Sequence, residues 1–183
     1  MFCGGDILKK LLSLVMTVFI VFALMSALSV SASAANIGTV TGVMQDTSDP
    51  DNTTVNWSFS YNRYEGTATL TLSGTGYMPN AVYEDTWLIA QNEVQCYVTK
   101  LVVKDGVRSI MENAFMGETY LEEVTLPDSI EYIGEGAFAY TSIQRFNIPQ
   151  KVDYVNSKMF AGSPIKNFTV SPYNEYYKAV DGF

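Results

Sequence analysis

The chain has 183 residues, 11 Lys and Arg against 19 Asp and Glu, a formal net charge of −8, two cysteines and no histidine. Without histidine there is no Ser-His-Asp or Cys-His nucleophile and no imidazole metal ligand, acid or base. The charge has the wrong sign for phosphate backbones, which are held by clustered Lys and Arg, so nucleic acid is not an expected partner.

Residues 1–34 have the three parts of a secretory signal peptide: Lys9 and Lys10, the uncharged apolar run Leu11–Val30, and the small-residue site Ala32-Ser33-Ala34. A run of roughly 20 apolar residues is also long enough to span a bilayer. The Ala-x-Ala site directly behind it favours cleavage after Ala34, with no membrane insertion afterwards and a secreted or surface-attached product. Cys3 leaves with this segment, so Cys96 is then the sole thiol and no intramolecular disulfide forms. A lone cysteine with no His partner reads as a small buried hydrophobe.

Residues 35–54 read as a polar linker, because Gln45–Asn52 holds nothing apolar to bury. Asp46, Asp49 and Asp51 lack the alternation and distant Glu that wrap a calcium ion, so no metal or cofactor is expected. Residues 55–95 read as an N-terminal β-hairpin cap. Val55, Trp57, Phe59 and Tyr61 alternate with polar residues, as do Ala68, Leu70 and Leu72, and Asn62–Gly66 supplies the turn. Gly74-Thr75-Gly76 reads as a turn, since no third glycine and no amphipathic helix follow it. Asp85 is placed to cap a short helix over Thr86–Gln91 that buries Trp87 and Leu88.

Residues 96–183 repeat. Val98-x-x-Leu101-x-Val103 returns as Leu121-x-x-Val124-x-Leu126, Ile143-x-x-Phe146-x-Ile148 and Ile165-x-x-Phe168-x-Val170. A second apolar set, Val107 and Ile110, returns as Ile130 and Ile133, then Val152 and Val155. Ala114-Phe115, Ala137-Phe138 and Met159-Phe160 complete each unit, and Pro127 and Pro149 close the first strand where a missing N–H ends a ladder. A unit this short buries its apolar face only against neighbouring units, so three such repeats and a partial fourth predict a mainly β solenoid with 22–23-residue repeats and a phenylalanine column inside.

Three segments carry a family likeness: Asp105-Gly106-Val107-Arg108-Ser109-Ile110, Leu121–Pro127 and Ile130-Glu131-Tyr132-Ile133-Gly134-Glu135-Gly136-Ala137-Phe138. They resemble the bacterial surface leucine-rich repeats called BspA-like. Trp57–Gly76 is similar to that family's N-terminal hairpin, and Asn174–Gly182 to a later-repeat motif. The resemblance implies an exported leucine-rich repeat protein of a family associated with surface attachment and protein binding, with no shared catalytic site. Met159 replaces the usual Ala, and Ser171-Pro172 moves the closing proline by one place. No polar terminal cap is visible, and the last motif stops where the family continues, so the chain reads as truncated or part of a longer protein.

On the first strand of each repeat two columns point outward: Lys100, Glu123, Arg145 and Asn167 in one, Val102, Thr125, Asn147 and Thr169 in the other. The first is expected to form an alternating charge ladder across strands about 4.8 Å apart. Tyr132 and Tyr154 are expected as an exposed aromatic pair on the second strand. These residues are the candidate surface for a protein or glycoprotein ligand, because a concave solenoid face is the usual place for one. A structural spacer in a longer surface protein is the alternative. A glycan hydrolase would need two carboxylates about 5–10 Å apart flanking a cleft. Glu122 and Glu123 diverge on a strand, and the Glu112 and Glu135 position is taken by Ser157 in the next unit, so no catalytic residue is assigned.

Overall fold

A computed structural model describes residues 35–45, 54–79 and 87–179. The signal segment, the Asp46–Asp51 cluster, the capping residue Asp85 and the closing Asp181-Gly182 lie outside the described residues. Among the described residues no helix is long and apolar enough to cross a membrane.

Strands β1 (Ile37–Gln45), β2 (Thr54–Asn62) and β3 (Thr67–Thr75) form an antiparallel meander. The hairpin turns over Arg63–Gly66 as its composition predicts. Val55, Trp57, Phe59 and Tyr61 on β2 and Ala68, Leu70 and Leu72 on β3 are buried.

β1 corrects the expectation that residues 35–54 are a solvated linker. Its inward side carries Gly38, Val40, Gly42 and Met44, a set with too little bulk to signal a buried strand. The missing volume comes from across the ladder. Gly38 stands opposite Tyr61 and Gly42 opposite Trp57. A Cβ on Gly38 would lie 2.6 Å from the Tyr61 hydroxyl, and one on Gly42 would collide with the Trp57 indole. Aromatic rings laid over cross-strand glycines in this way fill the core and fix the register.

Gly74-Thr75-Gly76 also departs from expectation. β3 runs through Thr75, and Gly76 bridges to Val107 in parallel, donating to the Gly106 carbonyl at 2.9 Å and accepting from the Arg108 N–H at 2.8 Å. Gly74 has φ of 112°, which lets the chain bend within the strand rather than reverse.

Helix α1 spans Trp87–Val94, three residues beyond the expected end, and buries Trp87, Ala90 and Val94, while Leu88 is half-buried. The buried face is therefore set by the i, i+3, i+7 spacing of those three rather than by the adjacent Trp87-Leu88 pair. The Trp87 ring stacks on Phe115 at 5.3 Å. Cys96, free and fully buried just after α1, has its thiol pushed up chiefly by burial, in keeping with a packing role.

β4 (Tyr97–Val103) joins β3 in parallel, so the meander runs directly into the repeats, and β6 (Glu123–Thr125) pairs with β4. β8 (Arg145–Ile148) and β10 (Asn167–Val170) form a separate parallel pair. β5 (Ser109–Ile110), β7 (Tyr132–Ile133) and β9 (Tyr154–Val155) make a second parallel sheet. The turns between these strands are bonded from repeat to repeat as well: Phe115 N–H to the Ala137 carbonyl at 2.9 Å, Phe138 N–H to the Met159 carbonyl at 3.0 Å, Tyr140 N–H to the Ala161 carbonyl at 2.8 Å. β6 and β8 each end before Pro127 or Pro149.

Between the sheets Phe115 and Phe138 stack at 5.6 Å with 7° between planes, and Phe138 and Phe160 at 5.6 Å with 15°. Phe115 and Phe138 are fully buried, as are Val107, Ile110, Leu121, Ile130, Ile133, Ile143 and Val152. Phe160 is half-buried. At the far edge of β9, the Tyr177 hydroxyl donates to the Asp153 carbonyl and accepts from the Val155 N–H, both at 3.1 Å. Buried Asn174 sets this up, donating to Pro149 and Val152 carbonyls and accepting from the Tyr176 and Tyr177 N–H groups. Polar side chains thus satisfy backbone groups along the outer side of β9.

Candidate functional site

The first-strand columns are present, in part. Lys100 stands opposite Glu123 and Val102 opposite Thr125, while Asn167 stands opposite Arg145 and Thr169 opposite Asn147. From Glu123 onward these side chains are exposed, with Lys100 and Val102 half-buried. Alternation puts Leu101, Phe146 and Ile148 on the buried side of the same strands.

The alternating charge ladder forms only its first rung. Lys100 Nζ meets Glu123 Oε2 at 2.8 Å. Glu123 makes no ion pair with Arg145 among the described residues, because β6 and β8 belong to different sheets and the ladder spacing breaks between them. The second column ends in a hydrogen bond from Thr169 Oγ1 to Asn147 Oδ1 at 2.9 Å. The surface that results is polar, and Arg145 on it is exposed.

Tyr132 and Tyr154 are brought side by side on β7 and β9. Tyr154 is exposed, but Tyr132 is half-buried, which corrects its expected exposure. Burial, with Glu112 and Tyr154 close by, pushes the Tyr132 hydroxyl above the usual phenol range. Adjoining this pair, Glu135 accepts from Lys158 Nζ at 2.8 Å and from Asn156 Nδ2 at 3.3 Å. Lys158 holds the Glu135 carboxyl below its ordinary value and is itself pushed up.

Sequence reasoning missed three clusters. Arg108 reaches Glu131 with two nitrogens, Nε at 3.1 Å and a terminal nitrogen at 2.8 Å, while its guanidinium lies 4.7 Å over the Tyr77 ring. The Tyr77 hydroxyl donates to the same carboxylate at 2.9 Å. Bidentate geometry of this kind orients as well as attracts. The Arg108 bonds hold the Glu131 carboxyl below its usual range, and the bond to Glu131 raises the Tyr77 hydroxyl.

Glu118 is a buried carboxylate beside α1, accepting from Gln91 Nε2 at 3.4 Å. Burial pushes it above the usual carboxylate range, opposed in part by Gln91 and Trp87. The equivalent places in the next coils hold Thr141 and Ser163, which satisfy each other and the Phe138 carbonyl. The third cluster is the exposed stack of Tyr97 on Tyr120, with ring centroids 4.4 Å apart.

Among the described residues no three His, Cys, Asp or Glu side chains converge as metal ligands do. Of the carboxylates weighed as hydrolytic, Glu123 pairs with Lys100 and Glu135 with Lys158, while Glu112 and Glu122 are exposed.

Residues 94–179 match the family described as BspA type leucine rich repeat region, in six copies. Within residues 94–179 the repeats are thus of the BspA leucine-rich type. Comparison with curated proteins finds no match. Among solved structures the chain is similar to a leucine-rich repeat protein from Eubacterium ventriosum, with a TM-score of 0.51 and 19% identity over 79% of this chain and 47% of that one. It also matches a leucine rich cell surface protein from Faecalibacterium prausnitzii, with a TM-score of 0.42 and 17% identity over 77% of this chain and 57% of that one. The chain therefore spans about half the length of the solved structures it matches.

Proposed function

We propose that this chain is an exported, surface-associated solenoid module that binds a protein or glycoprotein through the face formed by β4, β6, β8 and β10, with the β1–β3 meander closing one end of its core. The observation that carries this reading is the outward set Glu123, Thr125, Arg145, Asn147, Asn167 and Thr169: exposed side chains on parallel strands, backed by buried Phe146 and Ile148 and by half-buried Val124, Phe168 and Val170. Function in repeat proteins lies on such extended faces, and a rigid support lowers the entropy lost when a partner docks. Arg145 is the anchor of choice, since Arg is enriched where interfaces concentrate their energy. The surface reading rests on the signal-like segment at residues 1–34 and on the repeat family.

The test is solid-phase binding of the exported protein to immobilised matrix proteins and mucins. Saturable binding is expected, weakened at least tenfold by Arg145→Glu combined with Lys100→Glu and Glu123→Lys, with an unchanged circular dichroism spectrum. Absence of saturable binding, or binding indifferent to the triple change, contradicts the reading.

A further inference from the structure

The turns that lead from the second strand of one repeat to the first strand of the next carry an aromatic surface that the repeat pattern does not require. Gly117, Tyr140 and Gly162 occupy the same place in successive coils, all with left-handed backbone, at φ of 83°, 57° and 73°. Glycine adopts that conformation freely, and an aromatic residue adopts it only at a cost. The Tyr140 ring lies against Gly162, where a Cβ would be 2.5 Å from Cδ1 and 2.7 Å from Cε1. The ring is therefore braced on the Gly162 backbone, and the residue is 59% exposed. Coil-to-coil bonds tie the same turns to Tyr120: Gly117 N–H to the Ala139 carbonyl at 2.9 Å, and Ser142 Oγ to the Thr119 carbonyl at 2.7 Å. Tyr120 and Tyr97, 53% and 45% exposed, complete the surface, and Met116 beside Gly117 is exposed too.

We infer that this turn ridge binds neutral carbohydrate, with Tyr140 and Tyr120 as platforms for sugar rings. A pyranose has an apolar face of C–H bonds and a rim of hydroxyls. An exposed, braced tyrosine offers the matching pair, a π-face for the C–H bonds and a polar edge in water. The four side chains Tyr97, Met116, Tyr120 and Tyr140 carry no charge, and the chain is acidic at −8. Sulfated or carboxylated glycans would be repelled, while uncharged ones approach without desolvating an ion. Tyr120 and Tyr140 lie on turns and not on the strands of the proposed binding face, so the two activities are separable by mutation.

The experiment is native affinity electrophoresis of the exported protein in gels containing soluble β-glucan, galactomannan or α-mannan. Retardation in at least one gel is expected. Tyr140→Gly, which restores the residue type of the neighbouring coils and relieves the backbone, should weaken it at least tenfold with an unchanged or raised Tm. Tyr120→Ser, which copies Ser142, should do the same, and Arg145→Glu should leave it intact. No retardation in any of the three gels overturns the proposal, as does retardation insensitive to Tyr140→Gly. Saturable binding of a proline-rich peptide in place of the three glycans also overturns it.

Discussion

Phe115 and Phe138, contributed by successive coils, stack with ring centroids 5.6 Å apart and planes only 7° from parallel, both without solvent exposure. Phe138 also meets Phe146 at 5.5 Å and Phe160 at 5.6 Å, which places it at the centre of the column. Phe138→Ala should therefore cost about 3–5 kcal/mol, the range for deleting a buried aromatic ring. Phe160→Ala should cost less, because that ring is already half-buried. Urea unfolding of the two variants checks the order.

Two carboxylates should give opposite pH signatures. Glu118 is raised above its ordinary value of 4.5 by burial, so the stability it supports is complete below that value and is lost as pH rises through its folded value. Glu118→Gln removes this loss, and its advantage over the unmodified protein should grow between pH 4 and pH 7. Thermal melts across that range read the sign directly.

Glu131 behaves conversely. The Arg108 bonds lower it, so its contribution is present above 4.5 and lost as pH falls through its folded value. Glu131→Gln should destabilise by up to about 1 kcal/mol at neutral pH, as expected for a partly exposed pair, and by less at pH 3. Melts at the two pH values, with and without added salt, test this.

The meander depends on Trp57 lying over Gly42. Gly42→Val should force the indole aside at a cost of about 1–3 kcal/mol, the range for overpacking a filled site. Amide exchange should quicken in β1 and in the facing part of β2, while β8 and β10 keep their protection.

The repeats were legible because their signal is periodic: each repeat sets an apolar residue at the same place, so Leu101, Val124, Phe146 and Phe168 announce themselves by spacing, and Leu101 pairs with Val124 and Phe146 with Phe168 as that spacing implies. β1 was illegible because its core is supplied by another strand, with Tyr61 and Trp57 filling what Gly38 and Gly42 leave empty. The outward columns could be named from spacing, but the break between β6 and β8 could not, since it depends on how the strands divide between sheets. Tyr140 could not be singled out by spacing, because the left-handed backbone it shares with Gly117 and Gly162 is known only from the structure. The Tyr177 hydroxyl on β9 and the Gln91–Glu118 bond join segments that no pattern in the chain connects.

The most direct test of the stacked-coil frame beneath the proposed binding face is hydrogen–deuterium exchange of residues 97–170 at amide resolution. The account predicts slow exchange for amides bonded from coil to coil, among them Phe115, Glu122, Phe138 and Lys166, with protection lost together under Phe138→Ala. Fast exchange at those four amides in the unmodified protein, or protection confined to β1–β3, would contradict it.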